Sequence, residues 1–342
     1  MADELSETIY KMMASGFGVG VDAVMKCQSV LQTHKKVLVS ISGGADSDVM
    51  LDLVERVRTS VPDTEIVYQW SNTGLEYDAT RRHLDYLEQK YGIEILRVRP
   101  RKVIPTCCRE YGQPFMSKMV SEQIERLQTR GFKWEDEPLE ELVKKYPDIR
   151  SALRWWTNDY ARGGRPTHFD INNKRMLKEF MIENPPWFKI SPKCCKFTKK
   201  MPVRDLIREG GFDINLSGVR KVEGGVRAVG NSCMTKGSAS SATDAYRPLF
   251  WFQDEDRAQY DRMFDIVHSD CYTVWGFKRT GCAGCPFNMQ VEDDLVAIEK
   301  FEPNLHKAIC TVFKDSYEYT RMFYAWRKEK MSDAKGQMAL FS

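Results

Sequence analysis

The sequence predicts an α/β protein built on a parallel sheet, and three observations carry that prediction. Val37-Leu38-Val39-Ser40-Ile41 is a short β-rich run of the kind buried in a parallel sheet. A glycine turn follows it, and Val49, Met50, Leu53, Val54 and Val57 then recur at helical spacing. The order repeats: a strand from Glu65 to Trp70 closed by Ser71-Asn72-Thr73-Gly74, a helix from Arg81 to Tyr91, and a third strand from Glu94 to Val98. Such alternation reads as parallel strands joined by right-handed crossovers.

Composition bounds the rest. A chain of 342 residues with 42% apolar side chains can bury one large core or two smaller ones. The balance of 51 basic against 48 acidic residues leaves +3, so any nucleic-acid surface must be local. Asp3, Glu4, Glu7, Lys11, Asp22 and Lys26 interrupt the first 32 residues, which excludes a signal or spanning segment there. The protein is therefore expected to be cytoplasmic with no membrane partner. In that compartment ten cysteines read as ligands, nucleophiles or core residues rather than disulfides. Ile9, Met12, Met13, Phe17 and Val21 predict a leading helix with a break at Gly16 to Gly20.

The first turn is where chemistry is expected. Gly43 and Gly44 can aim successive N–H groups at an anion, and Ser42 and Ser47 add hydroxyls at the positive end of a helix. Asp46 is acidic in a phosphate site, which points to a magnesium or orienting role. Ser42-Gly43-Gly44-Ala45-Asp46-Ser47 resembles the Ser-Gly-Gly-x-Asp-Ser pyrophosphate loop of the PP-loop ATP pyrophosphatases, whose superfamily includes the phosphoadenylyl sulfate reductases and the thiolation enzymes. The resemblance implies a doubly wound parallel sheet of the adenine nucleotide alpha-hydrolase-like type, holding a nucleotide at the C-terminal edge of its strands. Trp70 to Thr80 is similar to the family's second signature, an Asp-Thr-Gly and a helix; Thr73 and Gly74 fit as nucleotide contacts, and Asn72 stands where the aspartate is usual.

Between Met116 and Asp170 a polar stretch with helical runs at Ser121 to Gln128 and Leu139 to Tyr146 reads as an insertion. Arg154-Trp155-Trp156-Thr157-Asn158-Asp159-Tyr160-Ala161-Arg162 mixes cations with flat rings, as a surface for bases and phosphates does. Paired tryptophans equally anchor a core, and both readings stand. The tandem Cys107-Cys108 reads as structural or auxiliary, because no other cysteine lies at ligand spacing near it.

A second constellation runs from Ser191-Pro192-Lys193-Cys194-Cys195-Lys196 to Thr280-Gly281-Cys282-Ala283-Gly284-Cys285-Pro286. Two close pairs of thiolates suit a soft metal centre, with zinc or a redox dithiol as competitors. The pattern resembles the four-iron, four-sulfur arrangement of the phosphoadenylyl and adenylyl sulfate reductase family, and implies a 4Fe-4S cluster on Cys194, Cys195, Cys282 and Cys285. Gly218-Val219-Arg220 through Arg227 looks like the family's Gly-hydrophobic-Arg segment, with Arg220 and Arg227 as bidentate grips on phosphate. Tyr246 to Trp251 resembles its Pro-Leu-x-x-Trp stretch. The likeness implies residues 1–34 as an N-terminal helical segment and 35–115 as the first part of the nucleotide-binding core. It implies 116–190 as a helical insertion, 191–290 as the core continuation with the cysteines, and 291–342 as C-terminal helices and tail.

Two departures choose among relatives. The reductases carry a C-terminal Glu-Cys-Gly-x-His tail, whereas no cysteine follows Cys310 here; and the pyrophosphate loop is whole, as in members that split ATP into AMP and pyrophosphate. The implied activity is an enzyme that adenylates an oxygen of a substrate with ATP and Mg2+, using Asp46, Ser47, Arg220 and Arg227, so that sulfur from a cysteine desulfurase or other donor replaces it. An assimilatory sulfonucleotide reductase and a non-enzymatic iron–sulfur, nucleotide-binding sensor are the alternatives. Gln337-Met338-Ala339-Leu340-Phe341, expected beyond a helix ending near Lys330, resembles the Gln-x-x-Leu-Phe peptide of proteins that dock on the bacterial sliding clamp. Gln337, Leu340 and Phe341 therefore imply clamp docking and a nucleic-acid acceptor, DNA phosphorothioation first and tRNA thiolation second.

Overall fold

A computed structural model describes residues 4–224, 230–237 and 243–340, with side chains described as far as residue 332. The chain divides into two compact units, Met1–Arg101 with Thr198–Ala283, and Lys102–Phe197 with Gly284–Ser342. Among the described residues no helix is long and apolar enough to cross a membrane.

The first unit is the predicted doubly wound α/β layer. Helices α1 (Glu4–Ala14) and α2 (Gly18–Gln32) lead into β1 (Lys36–Ile41), α3 (Ala45–Arg58), β2 (Glu65–Ser71), α4 (Asp78–Tyr91) and β3 (Ile95–Val98). The break between α1 and α2 seats Phe17, 2% exposed, with its ring 5.7 Å from Phe252 and 6.5 Å from Tyr260. The sheet order is β3-β2-β1-β4-β6-β5, where β4 is Ile214–Ser217, β5 Met234–Thr235 and β6 Asp244–Tyr246. All pairs are parallel except the edge strand β5 on β6.

Register places Val39 beside both Tyr68 and Leu216, and Ser40 beside Gln69 and Ser217. The buried polar side chains at that level satisfy one another: Gln69 donates to Ser40 Oγ at 2.8 Å, and Ser40 donates to Asn215 Oδ1 at 2.7 Å. Strands β2 and β3 lie on one side of β1, and β4 and β6 on the other, so the chain reverses direction between β1 and β4. That switch point opens a crevice at the carboxyl ends of these strands, the place where open α/β sheets bind ligands.

On α3, Asp52 is 2% exposed and is held by Arg56 Nε at 2.6 Å, Tyr91 OH at 2.9 Å and Tyr260 OH at 2.8 Å. A buried carboxylate with this many donors ties α3 to α4 and to α12 (Asp254–Phe264). Neither Tyr91 nor Tyr260 was legible as a partner at a sequence distance of 39 or 208 residues.

The second unit is helical. Helices α5 (Ile104–Tyr111), α6 (Lys118–Thr129), α7 (Leu139–Lys145), α8 (Arg150–Trp156), α9 (Leu177–Glu183) and α10 (Lys193–Cys195) are joined by α14 (Val291–Phe301), α15 (Pro303–Val312) and α16 (Lys314–Leu340). Between them α11 (Met201–Gly210) and α13 (Asp270–Thr273) belong to the first unit. The Trp155-Trp156 question closes in favour of the core: the rings are 1% and 0% exposed, among Phe132, Trp134, Leu153 and Ile171. Burial of each such ring contributes about 1.5–3 kcal/mol or more. Helix α16 runs through Leu340 rather than ending near Lys330. Aromatic residues Tyr319 and Phe323, buried against α9, anchor its first half.

Candidate functional site

The turn after β1 closes on itself through one hydroxyl. Ser47 Oγ accepts the Ser42 and Gly44 N–H groups at 3.2 and 3.1 Å and donates to Gly44 O at 2.8 Å. With 4% exposure, Ser47 braces the turn from within instead of presenting its hydroxyl to a phosphate. This corrects the sequence reading, which placed the hydroxyl in open phosphate space; serine at the third helical position reaches back to the cap more readily than outward.

Glycine is required here for two different reasons. Gly43 has φ +68°, and a Cβ on it would lie 2.6 Å from Thr80 Cγ2. A Cβ on Gly218, just past β4, would lie 2.7 Å from Asp46 O and 3.1 Å from Ser47 N, so β4 meets the start of α3 backbone to backbone. Tyr272 and Thr280 line the same turn, hydroxyl to hydroxyl at 2.9 Å, within about 3 Å of where a Gly44 Cβ would stand. Sequence reading missed both, because single hydroxyls more than 220 residues downstream carry no local signal.

Asp46 and Arg220, predicted separately, are brought together. Arg220 Nε stands 2.9 Å from Asp46 Oδ1, with Arg257 Nε at 3.8 Å and Asp254 at 2.9 Å from Arg220 Nη1. Burial raises the Asp46 carboxyl above its ordinary range, against the opposing pull of Arg220 and Arg257. These are ion pairs with poor hydrogen-bond direction: among the described residues Asp46 Oδ1 and Arg220 Nε and Nη1 have no hydrogen-bond partner. A guanidinium only 6% exposed, held beside a helix N-terminus by Asp46, adds positive charge at the end of the helix that already favours an anion. Both guanidinium groups approach the same carboxylate oxygen, Oδ1. Arg227 lies outside the described residues.

The second signature supports the turn without opening toward it. Thr73, wholly buried, donates through N–H and hydroxyl to Glu76 Oε1 at 3.0 and 2.5 Å. Asn72 Oδ1 accepts the Gly74 N–H at 2.9 Å, a bond an aspartate makes equally well. Beneath α3, Asp48 Oδ2 sits 3.0 Å from His83 Nε2 and 2.8 Å from His268 Nδ1, and His268 Nε2 is 3.2 Å from Asp261. Burial lowers the His268 pKa, but the bonds to Asp261 and Asp48 outweigh it and raise it to about 9.

The thiols gather in the second unit. Cys194 and Cys195 are free thiols hydrogen-bonded to each other; that bond, burial and the fields of Cys195, Cys108 and Cys285 push the Cys194 pKa up. Cys107, likewise raised by burial, lies near Cys195 and points its thiol at Lys102 O at 3.7 Å. Cys107-Cys108, read from sequence as structural or auxiliary, comes near other cysteines because α5 packs on α10, with Tyr111 stacked on Phe197 at 5.0 Å and 7°. The Cys285 loop is set by Gly284, φ +60°, whose Cβ would lie 2.5 Å from Ile309 Cδ1 and whose carbonyl accepts the Tyr317 hydroxyl. Cys282 is half-buried and falls in the first unit.

Among the described residues no three His, Cys, Asp or Glu side chains are drawn tightly enough to hold one ion. The all-thiol donor set fits a soft, multi-iron group, in which each thiolate takes its own iron. Beside Cys285, Pro286 borders a cavity of ≈ 270 Å³ shared with Met116, Lys174, Tyr317, Arg321 and Tyr324. Of the clamp-like peptide, Phe341 lies outside the described residues and Gln337 and Leu340 lie on α16.

The chain is similar to several known proteins. The chain is 27% identical over 181 residues to an uncharacterized protein of Methanocaldococcus jannaschii, a match that takes in 52% of this chain and 35% of that one. It thus spans about a third of that relative's length. Phosphoadenylyl-sulfate reductase from Candida auris, in a phosphate complex, is similar at 16% identity and a TM-score of 0.39, over 75% of this chain and 87% of that one. The U34-tRNA thiolase NcsA from Methanococcus maripaludis with its 4Fe-4S cluster is similar at 16% and 0.37, over 88% and 76%. Both structural likenesses are distant. The phosphoadenosine phosphosulfate reductase domain matches residues 36–165 and 167–288, from β1 through both cysteine pairs, and the chain belongs to that family.

Proposed function

We propose that the chain binds ATP at the Ser42–Ser47 turn and adenylates an oxygen of a nucleic acid, so that sulfur can replace that oxygen. The carrying observation is the buried Arg220, paired with Asp46 beside the start of α3 at the sheet's switch point. The acceptor oxygen attacks the α-phosphorus, a P–O bond forms, the bond to the bridging oxygen breaks, and pyrophosphate leaves. AMP then becomes the leaving group when a sulfur nucleophile attacks the acceptor. Arg220 neutralises the charge that grows on the phosphates, while Asp46 holds its guanidinium in place. The helix dipole and the Gly43-Gly44 turn hold pyrophosphate, and Ser47 keeps that turn shaped. Arg227 stands as a second grip on phosphate by its place in the motif.

Cys194, Cys195, Cys282 and Cys285 would hold the iron–sulfur group, which when bound supplies soft iron for a sulfur ligand. The donor is a cysteine desulfurase or other sulfur donor: where its persulfide attacks and AMP leaves, a second donor thiol then breaks the remaining S–S bond, leaving the donor as a disulfide and the sulfur on the acceptor. The first-choice acceptor is DNA and the second tRNA. Clamp docking through Gln337, Leu340 and Phe341 belongs to the DNA reading.

A sulfonucleotide reductase needs a nucleophilic thiol. Cys310, 3.4 Å from His306 Nε2, is the nearest to one, but burial pushes its pKa up. Incubation of the purified protein with radiolabelled ATP, or with adenylyl sulfate and thioredoxin, tests the proposal. AMP and pyrophosphate from ATP, increased by DNA, are expected. Sulfite from adenylyl sulfate with ATP untouched establishes the reductase instead, and consumption of neither leaves the sensor.

A further inference from the structure

We infer that the cavity in the second unit takes one unpaired base of a DNA strand, stacked on Tyr324, with a phosphate of that strand on Lys174. The choice of DNA rests on the function proposed above; the base and the phosphate are read from the cavity. All of its lining residues belong to the second unit, so the site is complete there. Its volume of ≈ 270 Å³ lies at the lower edge of the roughly 300–1,000 Å³ of small-molecule pockets, room for one flat heterocycle and not for a stack of them. A base inside a duplex is paired and stacked, so only an unpaired base can enter a concave pocket.

The walls suit such a ring. Tyr317, Arg321 and Tyr324 follow one another on α16 at spacings of four and three residues, which sets them on one face of the helix. Tyr317 is packed, its hydroxyl on the Gly284 carbonyl, whereas Tyr324 is 45% exposed and free to stack. Met116 and Met289 add soft thioether side chains that contact rings favourably. Met289 is 86% exposed, and Met116 holds φ at +56°, a left-handed conformation that methionine rarely adopts and that clusters at ligand sites. Charge then distinguishes a nucleotide from an apolar guest. Arg321 is matched by Glu292 through two bonds of 2.9 Å. Lys174, half-buried in the lining, has no ion pair or hydrogen bond among the described residues, which leaves the cavity net positive. Arg327, also without an ion pair among the described residues, lies over the Tyr324 ring at 5.0 Å to its centroid and adds a second cation along the path of a strand. An aromatic platform flanked by unmatched cations is how proteins hold single strands.

The test titrates the full-length protein into a fluorescein-labelled twelve-nucleotide thymidine strand, the same strand in duplex and an abasic strand of equal length, following anisotropy over a range of salt. Wild type is expected to prefer the base-bearing single strand to the other two. Tyr324→Ala should weaken that binding about tenfold and leave the abasic strand's affinity unchanged, whereas Tyr324→Phe, which keeps the ring, should bind as wild type does. Lys174→Gln should lower the slope of log affinity against log salt by about 0.7, as the loss of one phosphate contact on a single strand does. Tyr10→Ala, an exposed ring in the first unit, serves as the control and should change nothing. Circular dichroism checks that each variant is folded, and if Tyr324→Ala is not, Tyr324→Leu replaces it. Equal affinity of wild type for base-bearing and abasic strands, or of wild type and Tyr324→Ala for the base-bearing strand, overturns the inference. A wild-type dimer that Tyr324→Ala dissolves with strand binding unchanged overturns it too, and gives this face to a second copy of the chain. Pyrophosphate release from ATP is read in parallel: ATP split without base-dependent binding sinks this inference alone, and base-dependent binding without ATP splitting sinks the adenylation reading alone.

Discussion

The turn after β1 and the thiol group around α10 are both small polar constellations, and they are built by opposite routes. The turn is one contiguous hexapeptide whose own backbone and one hydroxyl complete it, so its geometry is local and survives without a ligand. The thiols come from three segments up to 177 residues apart, and Cys195, burial and the thiols of Cys108 and Cys285 oppose the ionisation of Cys194. A local turn is held by hydrogen bonds it makes itself. A thiol group held by distant packing has to lose protons before it can bind a metal, which couples any metal binding there to pH and to the fold.

The sharpest way to break the comparison is to remove one thiol. Cys194→Ala is expected to abolish bound iron and sulfide while leaving ATP affinity unchanged, because the turn owes nothing to the thiols. Metal analysis beside calorimetric ATP titration reads both. An equal loss of ATP binding would show that the two constellations are one.

The converse change is smaller. Gly43→Ala puts a Cβ 2.6 Å from Thr80 Cγ2 at φ +68°, a strain of about 1–3 kcal/mol. ATP affinity is expected to fall roughly tenfold or more with iron content unchanged. Adding Thr80→Ser removes the clashing methyl and should restore part of the loss. Full affinity in Gly43→Ala alone would remove the turn from nucleotide binding.

The same contrast explains what was legible. Val37 to Ile41, the glycines and the helical spacing after them are adjacent in sequence, and the strand, turn and helix were read from them. The three N-terminal strands were located within a residue or so. Strands β4 and β6 were not recognised, since four and three residues carry too little periodicity. At the site, Arg220 was found through a motif, whereas Arg257, Tyr272, Thr280 and His268 reach the turn by tertiary folding alone. Cys107-Cys108 was read as structural or auxiliary, and the α5–α10 packing that brings it near other cysteines leaves no trace in their sequence spacing.

Protonation sharpens the picture of the first unit. Burial disfavours charged His268, yet Asp261 and Asp48 raise its pKa from the ordinary 6.5 to about 9. A raised folded-state pKa stabilises the charged form, so this contribution is complete below pH 6.5 and is lost as pH rises through about 9. The loss is up to about 3 kcal/mol. Denaturant titrations across that window should show wild type losing stability and His268→Gln nearly flat. Parallel curves would mean that His268 is neutral in the folded protein.

The smallest effect concerns Asn72, where the family's usual aspartate is missing. Its Oδ1 accepts the Gly74 N–H at 2.9 Å, and Gly74 sits at φ +86° in the turn that closes β2. Either side chain supplies that acceptor, so Asn72→Asp should leave stability within about 0.5 kcal/mol and ATP affinity within about twofold. Asn72→Ala removes the acceptor and should cost about 1 kcal/mol of stability, with the N–H left to solvent. The pair of variants separates a turn-forming role from a charge-bearing one. If the position serves the turn, Asp equals Asn and Ala is worse. If it faces a phosphate or its counterion, Asp changes ATP affinity by more than about fivefold in a salt-dependent way while stability stays put. The second outcome would move this position from support of the turn into the ligand's own contacts, and Thr73 with it, since Thr73 would then have to give up Glu76 to follow.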